Sequence, residues 1–151
     1  LDAASAIAQR IVEAQPHHFD ALHLLGVITA QRGQHAEAID LMSRALALKP
    51  DAVAYANRAT ARNRMKHYPK ALADSEAALK HDPRFVPAHH ARGVALKGLK
   101  RLTEAAAAFQ HVTTLEPRHA DAWMQRGNVA LALNDPAALG HYQHVLEIQP
   151  N

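Results

Sequence analysis

The chain has 151 residues, a formal net charge of +3 and an apolar fraction of 48%. This length allows one domain with a sizeable core, and the apolar fraction excludes a disordered protein. It contains no cysteine, which excludes disulfides, thiolate metal sites and cysteine nucleophiles. No apolar run approaches the roughly 18 residues needed to cross a bilayer, so we expect no membrane insertion.

Good helix formers dominate the chain between its prolines, and this composition predicts an all-α protein. Gly33 marks a break between two helices, and Tyr68-Pro69 begins a later one. Asn134-Asp135-Pro136 predicts the start of the last helix, because a capping residue precedes proline at the first helical position. In chain order we expect helices at 2–15, 20–32, 35–49, 53–65, 69–81, 86–99, 102–115, 121–133 and 136–149.

Several series of residues recur along the chain at one pace. Prolines at positions 16, 50, 83, 117 and 150 lie 34, 33, 34 and 33 residues apart. Three further series keep this register: Gly26, Ala59, Gly93 and Gly127; Ala38, Ala71, Ala105 and Ala138; and Ala45, Ala78, Val112 and Val145. A shared register of this length predicts stacked copies of one helical unit.

Each recurring position has a physical interpretation. The prolines stop helices, because proline lacks an N–H and has a fixed φ. Glycine within a helix costs roughly 1 kcal/mol relative to alanine, so its recurrence indicates close helix crossings. Large apolar residues at matched offsets, such as Met42, Phe109 and Tyr142, are expected to pack into one shared core.

Two segments carry a resemblance to a known family. "ALHLLGVITAQRGQHAEAIDLMSRALALKPD" at 21–51 and "AWMQRGNVALAL" at 122–133 resemble the tetratricopeptide repeat, a helix–turn–helix unit of about 34 residues. The chain departs from the family at Arg58, Arg92 and Arg126, where leucine is usual. For Arg58 we predict an ion pair with Asp74 in the same unit.

The resemblance implies an α–α superhelix, a right-handed solenoid of antiparallel helix pairs. We predict a single array over 1–151, in which 1–16 is the second helix of a truncated repeat. Full repeats are expected at 19–51, 52–85, 86–118 and 119–151. Because repeat arrays usually need polar caps, we expect apolar surface at both ends and interpret the chain as part of a longer protein.

The resemblance also implies that the first helix of each repeat lines a concave groove, which holds a peptide or a partner segment. Residues spaced by three or four positions share one helix face, and this rule selects the residues that should face the groove. They are Asp20, His23, Val27, Gln31, Asn57, Thr60, Asn63, Arg64, His90, Val94, Lys97, Met124, Gln125 and Asn128.

Two specific ligand classes can be compared with this groove. Co-chaperones that bind acidic chaperone tails use a carboxylate clamp, and its positions here hold His23, Val27, Asn57, Pro87 and Ala91. Only Asn57 matches, and no fixed cation is available to bind a carboxylate, so we exclude that ligand.

The segment "ALHLLGVI" also resembles the repeats that precede the catalytic domain of O-GlcNAc transferases. The inner face of those repeats carries a ladder of asparagines, to which only Asn57 and Asn128 could contribute here. That alternative stays open.

Twelve histidines raise the question of a metal site. His141 and His144 lie three residues apart, and His111 shares a repeat position with His144, but no cysteine or completing carboxylate lies nearby. We therefore predict no metal site and no cofactor. His23 and His90 face the predicted groove, so any pH dependence of binding between about pH 5 and 7 is expected to involve them.

The basic run Arg58, Arg62, Arg64, Lys66 and Lys70 raises the question of nucleic-acid binding. It lacks interleaved aromatic residues and spans several helix faces, so we interpret it as ordinary surface and predict no nucleic-acid partner. No nucleophile–base arrangement or phosphate loop is present, so we predict no enzymatic activity.

The sequence therefore predicts a cytoplasmic protein–protein interaction scaffold that binds a peptide or partner segment in its concave groove. Two alternatives remain. One is self-association into a homo-oligomer through uncapped repeat ends, and the other is the repeat arm of an O-GlcNAc-transferase-like glycosyltransferase.

Overall fold

The computed structural model describes residues 2–150, and within them it contains nine α-helices and no strand. All nine predicted helices are confirmed, with ends within two residues of those expected. They are α1 (Asp2–Ala14), α2 (Phe19–Gln31), α3 (His35–Leu48), α4 (Ala52–Arg64), α5 (Tyr68–His81), α6 (Val86–Gly98), α7 (Leu102–Leu115), α8 (Ala120–Ala132) and α9 (Ala138–Ile148).

The helices end and begin at residues that recur with the repeat. Each recurring proline lies two residues beyond the end of a helix, as its missing N–H requires. Three helices begin under a side-chain cap: the backbone N–H groups of Ala21, Ala54 and Ala122 donate to the capping side chains. Those caps are His18, Asp51 and His119, so two histidines that the sequence placed in loops have a structural role.

The last helix begins later than predicted. Asn134 has a φ of 56°, in the left-handed region, and its N–H donates to the Leu131 carbonyl at 3.1 Å. It therefore closes α8 and does not begin α9. The Asp135 carboxylate accepts a hydrogen bond from the Ala137 N–H at 2.9 Å, which holds one turn before α9 starts at Ala138.

Contacts between helices define an inner and an outer layer. Each helix packs against the next along the chain, and α4 also contacts α2 and α6. The second helices α3, α5 and α7 make no comparable contact with one another in the described part of the chain. Because α2, α4 and α6 approach one another whereas the second helices do not, the first helices form the concave side, which α8 joins through the hydrogen bond from Lys97 to Gln125.

Small residues on the first helices receive large side chains from the second helices. A Cβ built on Gly93 would lie 2.7 Å from the Phe109 ring, and one on Gly26 would lie 3.0 Å from Met42. The predicted close crossings are thus confirmed at these positions. In the second pair the same positions hold Ala59 and Ser75, which are both fully buried, so this unit packs through two small residues.

The three arginines at the usual leucine position connect neighbouring helix pairs. Arg58 donates to Ser43 Oγ at 2.9 Å, and Arg126 donates to Thr113 Oγ1 at the same distance. Arg92 Nε lies 3.9 Å from Glu76 Oε1. Each guanidinium thus reaches the second helix of the preceding pair, while its aliphatic stem covers apolar surface.

Candidate functional site

Three adjoining cavities follow the concave side, and we call them the first, middle and last clefts of the concave groove. The first cleft, of about 250 Å³, lies between α2, α3 and α4. The middle cleft, of about 290 Å³, lies between α4, α6 and α8. The last cleft, of about 540 Å³, continues along α6 and α8. Thr60 and Arg64 line both the first and the middle clefts, and Asn63, Val94 and Lys97 line both the middle and the last clefts, so the three volumes form one path.

Most of the predicted groove residues line this path. They are Val27, Gln31, Asn57, Thr60, Asn63, Arg64, His90, Val94, Lys97, Gln125 and Asn128. Asp20, His23 and Met124 line none of the three clefts. His23 instead supports the groove from beside it, and the Met124 side chain is exposed to solvent.

Sequence reasoning missed the residues that the second helices contribute. His35, Tyr68 and Leu102 are the first residues of α3, α5 and α7, and each lines a cleft. They recur at intervals of 33 and 34, and this spacing could have identified them. The prediction considered only first helices, whereas the first and last clefts extend to the start of the adjoining second helices.

Hydrogen bonds connect successive first helices along the groove. The Asn57 amide nitrogen lies 3.0 Å from His23 Nε2, so the amide donates and the imidazole accepts in its neutral form. Burial lowers the pKa of His23, and the nearby carboxylates of Asp51 and Asp20 partly oppose that shift. The neutral ring is therefore the state in which α2 and α4 are held together here.

Further connections lie deeper along the groove. Asn63 Nδ2 donates to the Ala91 carbonyl at 2.8 Å, which connects α4 to α6. Lys97 Nζ donates to Gln125 Oε1 at 2.5 Å, which connects α6 to α8. His90 Nε2 lies 2.5 Å from Asp121 Oδ2. These contacts fix the spacing of the helices that line the groove, so its shape is established before any ligand binds.

Part of the basic run is neutralised within the protein. Arg58 binds both carboxylate oxygens of Asp74, at 2.9 and 2.7 Å, which confirms the predicted ion pair. Arg62 donates to the same carboxylate at 2.6 Å. All three side chains are largely buried. Two of the five basic residues are thus bound to one acid inside the protein.

The histidine pair considered for metal binding packs against an aromatic ring. The ring centroids of His144 and Trp123 lie 4.3 Å apart, and those of His141 and Trp123 lie 5.6 Å apart. Contrary to the prediction, a carboxylate does lie beside this pair: Glu147 follows His144 by three residues on α9, and its Oε2 is 3.0 Å from His144 Nδ1. Over residues 2–150 no group of three potential ligands is arranged to hold a metal ion.

His111 and His144, which share a repeat position, have different neighbours. The His111 ring stacks on His89 at 4.9 Å, whereas His144 packs on Trp123.

Among the helices of the described chain, none has the length and apolar character that spanning a bilayer demands.

His89 is a buried histidine whose surroundings disfavour a second proton on its ring. His89 is 8% exposed, its Nε2 lies 2.9 Å from the Pro83 carbonyl, and its Nδ1 is buried without a partner among the described groups. Burial lowers the pKa of His89; the Pro83 hydrogen bond opposes this, and His111 and Arg92 add to it. A proton on Nδ1 would thus be buried without an acceptor among the described groups, although the Asp82 carboxylate partly opposes the lowered pKa.

We therefore expect stability to fall as the pH drops below about 6.5, the ordinary pKa of histidine. Just below that pH the unfolded chain binds more protons than the folded chain, so the free energy of unfolding decreases as the pH falls. His89→Gln keeps a donor for the Pro83 carbonyl and should flatten the decrease. Urea unfolding at about pH 7 and pH 5.5 measures it. An equal decrease in the variant would contradict this assignment.

Comparison with known proteins gives a family and several relatives. A family model described as Tetratricopeptide repeat matches residues 1–53, 56–114 and 93–150. The chain is 36% identical over 85 residues to mouse sperm-associated antigen 1, which covers 56% of the chain and 9% of that protein. It is 31% identical over 103 residues to serine/threonine-protein phosphatase T of Trypanosoma brucei brucei, which covers 68% of the chain and 22% of that protein. The chain thus spans less than a quarter of either relative.

Solved structures have the same architecture. MamA superposes with a TM-score of 0.88 at 18% identity, covering 99% of this chain and 88% of that one. YrrB, described as a TPR protein with an unusual peptide-binding site, has a TM-score of 0.82 at 22% identity, covering 99% of this chain and 78% of that one. At these identities the likeness shows the fold alone.

Proposed function

We propose that this chain, which belongs to the tetratricopeptide repeat family, binds an extended segment of a partner protein along its concave groove. The repeat architecture and its repeat-protein relatives are those of protein–protein interaction scaffolds. The phosphatase relative matches only over its repeat region. Its activity is therefore not transferred to this chain.

The observation that carries this proposal is the continuity of the groove. The first and middle clefts share Thr60 and Arg64, and the middle and last clefts share Asn63, Val94 and Lys97. Apolar side chains and polar groups both line the path, so both side chains and backbone of a partner find complementary contacts. An extended chain fits such a path, whereas a compact small molecule would fill only one cleft.

Removing three polar groups of the groove tests the proposal. The probe is a peptide selected from a random phage-displayed library for binding to the native chain. We expect the combined variant Asn57→Ala, Arg64→Ala and Lys97→Ala to bind this peptide about tenfold or more weakly, because each side chain lines a cleft. Fluorescence anisotropy measures the affinity, and circular dichroism should show unchanged helicity.

A matched control alters the outer layer. Arg44, Lys80 and Gln110 are exposed on α3, α5 and α7 and line none of the three clefts. Their combined replacement by alanine should leave peptide affinity unchanged. Equal affinity of the groove variant and the native chain would contradict the proposed groove.

Exposed leucines favour a second candidate function, self-association. Leu131, Leu139 and Leu146 on α8 and α9 are 64%, 67% and 63% exposed, and such a patch can pack against the same surface of another copy. Sedimentation at high micromolar concentration tests this candidate. A monomer under that condition would exclude it, and it would leave the groove proposal unaffected.

A further inference from the structure

Arg64 occupies a special place in the groove. The equivalent positions of the other repeats hold Gln31, Gly98 and Ala132, so this column of the array carries one charged residue. Arg64 is the last residue of α4 and lines both the first and the middle clefts. A ligand that passes from one cleft to the other therefore passes this guanidinium.

The charge of Arg64 is not used inside the protein. None of the ion pairs found over residues 2–150 involves its guanidinium, and its side chain is exposed. The preceding arginine on α4 has an internal partner instead, because the Arg62 guanidinium lies 2.6 Å from the Asp74 carboxylate. A guanidinium that faces a concave path without an internal carboxylate is suited to bind an external one.

The surroundings of Arg64 reinforce the same sign of charge. Lys97 also lines the middle cleft and donates to the neutral amide of Gln125, so its charge stays uncompensated. Among the described residues that line the three clefts, the one carboxylate is Asp121, which lies against His90. The groove therefore attracts negatively charged segments and disfavours positively charged ones.

Beside Arg64 the first cleft has an apolar wall. Val27, Ala30 and Ala61 line it, with the buried Met42 beneath. In an extended chain, side chains two residues apart project on the same side, about 7 Å apart. An acidic side chain on Arg64 would thus be accompanied by an apolar side chain in this cleft.

We propose that the Arg64 junction selects an aspartate or glutamate side chain inside an extended partner segment, with an apolar residue two positions away in the first cleft. This inference rests on the proposed function. The acid is internal and not a chain terminus, because the groove continues from Arg64 in both directions. A terminal carboxylate at this place would leave one side of the groove empty.

Random peptides displayed on phage, selected against the whole chain, test the inference. Selection should enrich peptides with one fixed acidic position and an apolar residue two positions away. For the best peptide, Arg64→Glu is expected to weaken binding about tenfold or more, and Arg64→Gln somewhat less. Changing the peptide acid to its amide should weaken binding to the native chain and have little effect on the Arg64→Gln variant, as a double-mutant cycle requires.

Arg84→Glu is the matched control. Arg84 is exposed in the connection between α5 and α6 and lines none of the three clefts, yet the variant changes the net charge equally. Its affinity should stay within about twofold of the native value, because an exposed distant charge is screened. Affinity should also be the same for free and amidated peptide C-termini.

The possible failures are distinguishable. Groove-binding peptides without a fixed acid, an equal loss in Arg84→Glu, or a need for a free C-terminus would overturn the Arg64 inference and leave the proposed function standing. Enrichment of no peptide at all would contradict both.

Discussion

Replacing Asp74 with alanine is expected to lower the free energy of unfolding by about 3 to 5 kcal/mol, the cost of breaking a buried ion pair from one side. The Asp74 side chain is 5% exposed and accepts hydrogen bonds from both Arg58 and Arg62. Its loss would leave two guanidinium groups in a largely buried site without a counter-charge. Urea unfolding followed by circular dichroism measures the difference.

Two further variants separate this burial effect from charge alone. Glu104→Ala removes the carboxylate of an exposed pair with Arg101 and should cause no comparable loss, because exposed ion pairs contribute little. Arg58→Leu, Arg62→Thr and Asp74→Leu, combined in one variant, reproduce Leu25, Thr29 and Leu41, which hold the same positions one repeat earlier and are buried. This triple variant leaves no unpaired guanidinium in the site and should recover most of the stability. A triple variant as unstable as Asp74→Ala would contradict the account.

Replacing Gly93 with alanine is expected to destabilise the protein by about 1 to 3 kcal/mol, the usual cost of overpacking a core. The new Cβ would lie 2.7 Å from the ring of Phe109, and Phe109 is fully buried in a core cluster, so the ring can make room only by shifting against its neighbours. Gly93→Leu should cost more. Thermal unfolding followed at the helical signal measures the effect.

Gly140→Ala is the matched control for this prediction. Gly140 lies within α9, and a Cβ there would meet nothing within 4 Å. The substitution should therefore stabilise the chain by up to about 1 kcal/mol, since alanine is the better helix former. Destabilisation by both substitutions to the same extent would show that the close crossing with Phe109 is not the cause.

The helices of this fold could be predicted because each repeat marks its own boundaries. Proline stops every second helix, and the small residues at positions such as Gly93 mark the close crossings. The start of α9 was misjudged because Asn134 can either close one helix or begin the next. The left-handed backbone of Asn134 shows that it closes α8. Lys66 and Lys100 share its repeat position and adopt the same conformation, although neither is a glycine that would have indicated a left-handed residue in the sequence.

The groove was predicted in part. Residues on the first helices follow helical spacing, so Asn57, Arg64 and Lys97 could be assigned to one face. The hydrogen bonds that connect successive first helices depend on how neighbouring repeats are offset from each other. The residue spacing within one helix carries no information on that offset. For that reason the support that His23 gives to Asn57, and the pairing of His90 with Asp121, emerged only from the three-dimensional arrangement.

The sequence also predicted part of the buried ion-pair cluster. Arginine at a usual leucine position requires a counter-charge, and this requirement identified Asp74 for Arg58. The second arginine on the same carboxylate, Arg62, could not be derived, because its side chain lies one turn further along α4 and was expected at the surface.

The central claim is that α2, α4, α6 and α8 form a binding surface for an extended segment. Nuclear magnetic resonance of the labelled chain, titrated with a display-selected peptide, tests it most directly. We predict that amide shifts change along these first helices, around Asn57, Arg64 and Lys97, and stay constant on the exposed faces of α3, α5 and α7. Shift changes confined to the second helices would contradict it.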